Sequence, residues 1–218
     1  MLKVSNPLDT CAILAGGLSG RMGRDKATLR LGEKSLVEGV YGLAKTLFKQ
    51  VFVVSSCHSP MTTNIDAPII GDLLPVKAPL VGIVSALLHA QTSHVFVLAC
   101  DMPFVSEESI YAVIQSFEGE DIVLPKTAQG FEPLHALYSR SCICHMLNSI
   151  ERGKLNIRNV FPYVCVKAVE SRPAFFAHGR SVFLNINTES ELQKARDLET
   201  KLNDDNEPAF VVAGGRFR

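Results

Sequence analysis

The chain has 218 residues, 47% of them apolar, and its 22 basic residues are balanced by 22 acidic ones. That length suits one domain with a sizeable core, and without a charge excess nothing forecasts a basic stripe for nucleic acid or an anionic membrane, so any anion is expected at a local site. The six cysteines show neither C-x-x-C nor zinc spacing, no stretch approaches the ~20 apolar residues of a membrane span, and MLKVSNPLDT lacks a signal peptide's apolar run. These features predict reduced, structural thiols in a soluble cytoplasmic protein.

In chain order, Cys11–Ala15 is a short apolar run that stops at Gly16-Gly17, which predicts a first strand entering a loop. Ser35, with Glu38 three positions on, has the spacing of a capping box. Behind it Leu36, Val40, Leu43 and Leu47, with Val37, Ala44 and Phe48, fall on one helical face. Val51–Val54 predicts a second strand, and Ile69-Ile70-Gly71 ends another short one. Leu80, Ile83, Val84, Leu87 and Leu88 mark the next helix, and Val95–Ala99 is an apolar strand that runs into Asp101. A helix through Ile110, Val113, Ile114 and Phe117 precedes a strand at Ile122–Leu124. Over this first part strand and helix largely alternate, and the strands are continuous apolar runs; both features predict an α/β fold with a mainly parallel sheet covered on both faces.

The second half is less regular. Leu134–Tyr138 predicts a strand, Ile143, Met146, Leu147 and Ile150 a helix, and Phe183–Ile186 a late strand. Thr188 with Glu191 caps a last helix through Leu192 and Leu198. The division expected is one domain over 1–200 and a tail over 201–218 that is either disordered or docked as an edge strand.

Three segments carry chemistry. In "LAGGLSGRMGRDK", Gly16, Gly17, Gly20 and Gly23 follow a buried strand, so a flexible main chain can aim N–H groups at a phosphate, while Arg21 and Lys26 add positive charge. The spacing is neither the dinucleotide fingerprint nor the Walker loop, and glycines alone would fit a plain connector; the two cations favour phosphate binding. Asp101 ends "VFVLAC", at the end of the sheet where α/β folds place ligands. A carboxylate there suits Mg²⁺ on a triphosphate, and equally a turn before Pro103 or a cap near Ser106. Asp72 could hold a ribose hydroxyl or a base edge, or cap its own loop. His135 reads as a satisfied core or rim histidine and not a catalytic base, the other five histidines are scattered, and Cys142 and Cys144 do not share a helical face.

Together these pieces resemble the molybdenum cofactor guanylyltransferase family, the MobA-like nucleotidyltransferases. "LAGGLSGRMGRDK" is similar to the family's opening signature, "APLVGIVSAL" to its P-L-x-G-I helix entry, "LACDMPFV" to its C-D-x-P strand end, and "EPLHALYS" and "FLNINTESEL" to its later segments. The resemblance runs from about Thr10 to Leu198. It implies a Rossmann-like, three-layer α/β/α fold and transfer of GMP from GTP to the molybdenum-bound pterin cofactor, with pyrophosphate released. It implies GTP held by the main chain of Leu14, Ala15, Gly16 and Gly17, and a nucleotide contact from Asp72. Lys26, assisted by Arg21, would neutralise phosphate, Asp101 would bind GTP and Mg²⁺, and Asn185 and Asn187 would lie near the pterin. Other cofactor-biosynthesis proteins or apo-molybdoenzymes are the protein partners it implies.

The sequence departs from the family's pattern in three places. Where the family often has an Asn shortly after its second strand, this chain offers Cys57 or nothing; Ala78 replaces a Gly and could tighten its turn, and the chain beyond Leu198 is long. The alternatives are a cytidylyltransferase for the same pterin, a sugar-1-phosphate nucleotidyltransferase, and a non-catalytic nucleotide or cofactor carrier. Gly16-Gly17 favours guanine over the cytidylyl enzymes' A-A-G, and Lys26 with Asp101 speaks against the carrier.

Overall fold

The computed structural model describes residues 8–15, 26–56, 65–177 and 179–204. β1 (Thr10–Leu14) is followed by a short hairpin, β2 (Arg30–Leu31) and β3 (Lys34–Ser35), whose two-residue turn uses Gly32 at φ 57°. Then come α1 (Leu36–Leu47), β4 (Gln50–Ser55), β5 (Ile69–Gly71), α2 (Pro79–His89), β6 (His94–Ala99), α3 (Glu107–Ile114), β7 (Ile122–Thr127), β8 (Gly130–Phe131) and β9 (His135–Ser139). The chain continues through α4 (Ile143–Glu151), β10 (Val166–Glu170), the hairpin β11 (Phe176–Ala177) and β12 (Arg180–Ser181), and α5 (Glu189–Asp204).

The main sheet has the order β10-β7-β9-β6-β1-β4-β5, with β8 paired to β7. β1 pairs in parallel with β4 and β6, β4 with β5, and β7 with β10, while β9 runs antiparallel between β6 and β7. The fold is therefore the expected mostly parallel α/β/α arrangement. Alternation along the strands divides the core into two layers. Cys11 and Ile13 of β1 and Phe96 and Leu98 of β6 pack under α1 and α3; Ala12, Val95 and Val97 pack under α2 and α4. A third, smaller cluster joins Leu31 and Leu36 to Ile186, Leu192 and Ala195, and so docks α5 on the β2–β3 hairpin.

The caps that the sequence announces are formed. Ser35 N–H donates to the Glu38 carboxylate at 2.6 Å and Glu38 N–H to Ser35 Oγ at 3.4 Å; the Ser35 N–H, and then the Ser35 hydroxyl donating at 2.7 Å, hold the Glu38 carboxyl below its ordinary range. At α5, Glu191 N–H donates to Thr188 Oγ1 at 3.2 Å, and the Glu191 carboxylate accepts from the N–H groups of Asn187 and Thr188 at 2.7 and 2.9 Å.

One expected strand is not there. Residues Phe183–Ile186 are irregular, because their apolar side chains serve two different clusters. Phe183 packs under the α3 face and Ile186 against α5, while Ile186 N–H donates to the Asp101 carbonyl at 3.0 Å and not to a strand. β10 and both small hairpins were not evident from the apolar pattern. Residues 205–218, most of the expected tail, lie outside the described residues, and α5 continues past residue 200 to Asp204. Among the described residues, no helix is long and apolar enough to cross a membrane.

Of the core and rim placements the sequence left open for His135, the structure shows the core. The histidine is fully buried between the rings of Phe96 and Phe183, with centroids at 5.3 and 5.1 Å. Burial pushes its pKa down to about 4, with the Ser109 main chain acting less strongly the other way. Because the folded value lies below the ordinary 6.5, the unfolded chain takes up the proton first as pH falls. The stability tied to this ring is thus complete above pH 6.5 and is lost as pH falls towards 4. Urea unfolding at pH 7 and pH 4.5 should show wild type losing more stability between the two than His135→Leu does; equal losses would assign the acid sensitivity to other groups.

Candidate functional site

The order of the sheet creates the site. From β1 the chain moves outward to β4 and β5, then crosses back to β6 on the other side of β1. Connections leave the two neighbours in opposite directions, and a crevice opens at their carboxyl ends. A cleft of about 180 Å³ lies there, walled by Leu14, Ala15, Val54, Pro79 and Leu134, with Asp72 and Asp101 contributing the acids.

Main-chain hydrogen bonds fix the rim. Cys100 N–H donates to the Leu14 carbonyl at 3.1 Å, one step beyond the last β1–β6 register pair. Ala15 N–H reaches the Val54 carbonyl at 2.8 Å, and Ala99 N–H the Leu134 carbonyl at 2.9 Å. Asp72 N–H donates to the Ser55 carbonyl at 3.0 Å, so β4 aims that acid as well. The next residue is held from α2: Leu73 N–H donates to Ser85 Oγ at 3.0 Å, and the buried hydroxyl donates in turn to the Val81 carbonyl at 3.0 Å. Both acids are half-buried.

α2 begins at the cleft with Pro79 in its first turn, and Ala78 at its N-cap offers no side-chain acceptor. Its positive end therefore faces the space where an anion would lie. Ala78 has φ −158° and ψ 147°, extended backbone open to any residue, so replacing glycine there does not tighten the turn. Gly82, one turn on, is the glycine that matters. A Cβ at this position would stand 3.3 Å from both Leu14 methyl groups and 3.6 Å from Asp72 Oδ1. Its place in P-L-x-G-I was visible in the sequence, but only the packing of α2 against the end of β1 gives it a purpose.

Of the residues singled out from the sequence, Leu14, Ala15, Asp72 and Asp101 line this one cleft. Asn185 and Asn187 flank Ile186, whose N–H is bonded to the Asp101 carbonyl, so they stand at the same strand end. Lys26 opens a 3-10 turn, Lys26–Thr28, against α1; its side chain lies outside the described residues, as do Gly16, Gly17, Arg21 and Cys57. The cleft is also lined by Val54, Leu134 and Cys100, to which the sequence reading gave no role. Burial pushes the Cys11 thiol well up and Cys142 up to about 12, which leaves both protonated and inert.

Residues 11–163 match the model of the MobA-like NTP transferase domain. The chain belongs to that family. Over 188 residues it is 35% identical to a probable molybdenum cofactor guanylyltransferase of Pelotomaculum thermopropionicum, covering 86% of this chain and 91% of the relative. It is 32% identical over 190 residues to the molybdenum cofactor guanylyltransferase of Desulfosudis oleivorans, covering 85% and 93%. The crystal structure of molybdopterin-guanine dinucleotide biosynthesis protein A from Archaeoglobus fulgidus superposes with a TM-score of 0.75 at 27% identity, covering 88% of this chain and 99% of that one. Family membership makes the chain a nucleotidyltransferase.

In an enzyme of this family, a side chain at position 82 should crowd the cleft. Gly82→Val should weaken nucleotide binding about tenfold or more, on the 1–3 kcal/mol scale of an overpacked contact. Calorimetric titration of the purified variant measures this, and wild-type affinity would mean that the ligand does not lie against Leu14 and Asp72.

Proposed function

We propose that the chain transfers the GMP moiety of GTP to the molybdenum-bound pterin cofactor, forming the guanine dinucleotide cofactor and pyrophosphate. The observation that carries this reading is the convergence of Leu14, Ala15, Asp72 and Asp101 on one cleft at the β1–β6 crevice. The names of the relatives supply the nucleotide and the acceptor.

In this reaction an oxygen of the acceptor's terminal phosphate attacks the α-phosphorus of GTP. A new P–O bond forms, the bond from the α-phosphorus to the α–β bridging oxygen breaks, and pyrophosphate leaves with the electron pair. No covalent enzyme intermediate is needed, so the work is positioning and charge neutralisation. The main chain of Leu14, Ala15, Gly16 and Gly17 holds the nucleotide, and Asp72 takes a ribose hydroxyl or a base edge. Lys26 and Arg21 neutralise the charge that builds on the departing pyrophosphate. Asn185 and Asn187 face the acceptor.

Two carboxylates in a cleft meant for a polyanion need cationic compensation. The donor set fits Mg²⁺, which takes one or two protein carboxylates and completes its shell with phosphate oxygens and water. No group of three His, Cys, Asp or Glu side chains gathers as a protein-only metal cage among the described residues. Asp101 would hold the ion, and when bound it would draw negative charge from the α-phosphate. A cytoplasmic setting agrees with the buried, unbridged thiols of Cys11 and Cys142.

Pyrophosphate release by the purified protein with Mg²⁺ and the pterin acceptor should be faster with GTP than with CTP, UTP or ATP. A preference for CTP would favour the cytidylyl alternative, and no release with any nucleotide would favour a carrier. Asp101→Ala and Lys26→Ala should each lower kcat by about 10²-fold or more, the scale of removing one preorganised electrostatic contact. Wild-type turnover in either variant would remove that residue from the site.

A further inference from the structure

A cationic hollow lies away from the catalytic cleft and shares no lining residue with it. It occupies about 290 Å³ between α4 and the 3-10 turns Ile157–Asn159 and Phe161–Tyr163. Arg152, Lys154 and Arg158 line it, and among the described residues no carboxylate forms an ion pair with any of them. In a chain whose basic and acidic residues are equal in number, that grouping is a local concentration and not a share of a general excess.

The cations stand on a fixed scaffold. The buried Ser149 hydroxyl donates to the Lys154 carbonyl at 2.6 Å, and Asn156 Oδ1 accepts from Arg158 N–H at 3.0 Å. The Arg158 guanidinium lies 5.7 Å from the centre of the Phe131 ring. At the tip of the β7–β8 hairpin, Gly130 has φ +127°, and a Cβ there would come within 2.9 Å of Arg158 Nη2. Glycine at this turn thus leaves the guanidinium its place. Across the hollow, Tyr163 stacks on His145 with ring centres 5.9 Å apart and planes at 7°, and it remains 61% exposed.

We propose that this hollow is a second ligand site, for a phosphate monoester carried on a planar heterocycle. Arg152, Lys154 and Arg158 take the phosphate through charge-assisted hydrogen bonds, and the exposed ring of Tyr163 takes the heterocycle. The site does not depend on what the catalytic cleft binds.

The sequence contains no tryptophan, so Tyr163→Trp installs a single fluorescent reporter at the rim. Titrating this full-length variant with GMP, without divalent cation, should quench the indole saturably. Guanosine, which lacks the phosphate, should not quench it over the same range. Adding Arg152→Glu and Lys154→Glu should weaken GMP binding at least about tenfold, the scale expected when charge-assisted contacts become repulsive. Asp101→Ala should leave it unchanged. Calorimetry of GMP binding, comparing the wild-type chain with one carrying only the two charge reversals, checks the same loss without the reporter. The proposal is overturned by identical isotherms in that comparison, by equal quenching with guanosine, or by a quench that follows Asp101→Ala and ignores the cations.

Discussion

The parallel seam between β1 and β6 is the constraint on which the rest of the molecule depends. Both strands are buried on both faces, so their register cannot slip by a residue without driving Cys11 and Ile13 into the layer now filled by Ala12 and exchanging their packing partners. The register sets where each strand stops. β1 ends at Leu14 and β6 at Ala99, and the bond from Cys100 N–H to the Leu14 carbonyl closes the seam just before the chains part. Asp101 is the next residue but one after Ala99, so its place at the crevice is a consequence of strand pairing and not of loop geometry. A loop-borne acid would need its own scaffold; this one inherits the rigidity of the sheet.

The same seam explains how the remaining parts meet the cleft. β4 lies on the other side of β1, and its final carbonyl, at Ser55, receives Asp72 N–H. α2 can descend over the end of β1 because Gly82 lets it approach the Leu14 methyl groups. The helix thereby brings its N-terminus to the crevice, where its partial positive charge offsets some of the repulsion between two carboxylates and an anionic ligand. The apolar walls make these charges count for more, since water is displaced from between them.

Much of this was legible in the sequence, and the reasons are physical. Strands covered on both faces must be apolar throughout, so Cys11–Ala15, Val51–Val54 and Val95–Ala99 announced themselves. The capping boxes at Ser35–Glu38 and Thr188–Glu191 are local chemistry, complete within four residues, and both are formed. What lay hidden depends on distant partners. β10 is an edge strand with only Val169 buried, so its apolar signal is weak. β9 looks like any other strand from its own residues, and its antiparallel direction is decided by the short β8 turn before it. Phe183–Ile186 misled for the opposite reason: it has a strand's composition but faces two separate clusters. The glycine-rich turn was the most informative segment of the sequence, yet Gly16, Gly17 and Arg21 lie outside the described residues, so their part in the site rests on chemistry and family resemblance.

The irregularity at residues 182–188 has a structural purpose. A strand there would spend its N–H and C=O groups on a neighbouring strand, and Ile186 N–H would not be available to the Asp101 carbonyl. Left irregular, the segment bonds the main chain of Asp101, and Ile186 inserts its side chain into the cluster that seats α5 on the β2–β3 hairpin. That hairpin directly follows the 3-10 turn begun by Lys26. The C-terminal helix therefore links the end of β6 to the chain that follows the 3-10 turn Lys26–Thr28. The end of β6 and the β2–β3 hairpin, far apart in sequence, are thus held to each other from outside the sheet. A displacement of α5 would be felt at both, and Glu191, which gathers the N–H groups of Asn187 and Thr188 on one carboxylate, fixes the start of the helix that makes that linkage.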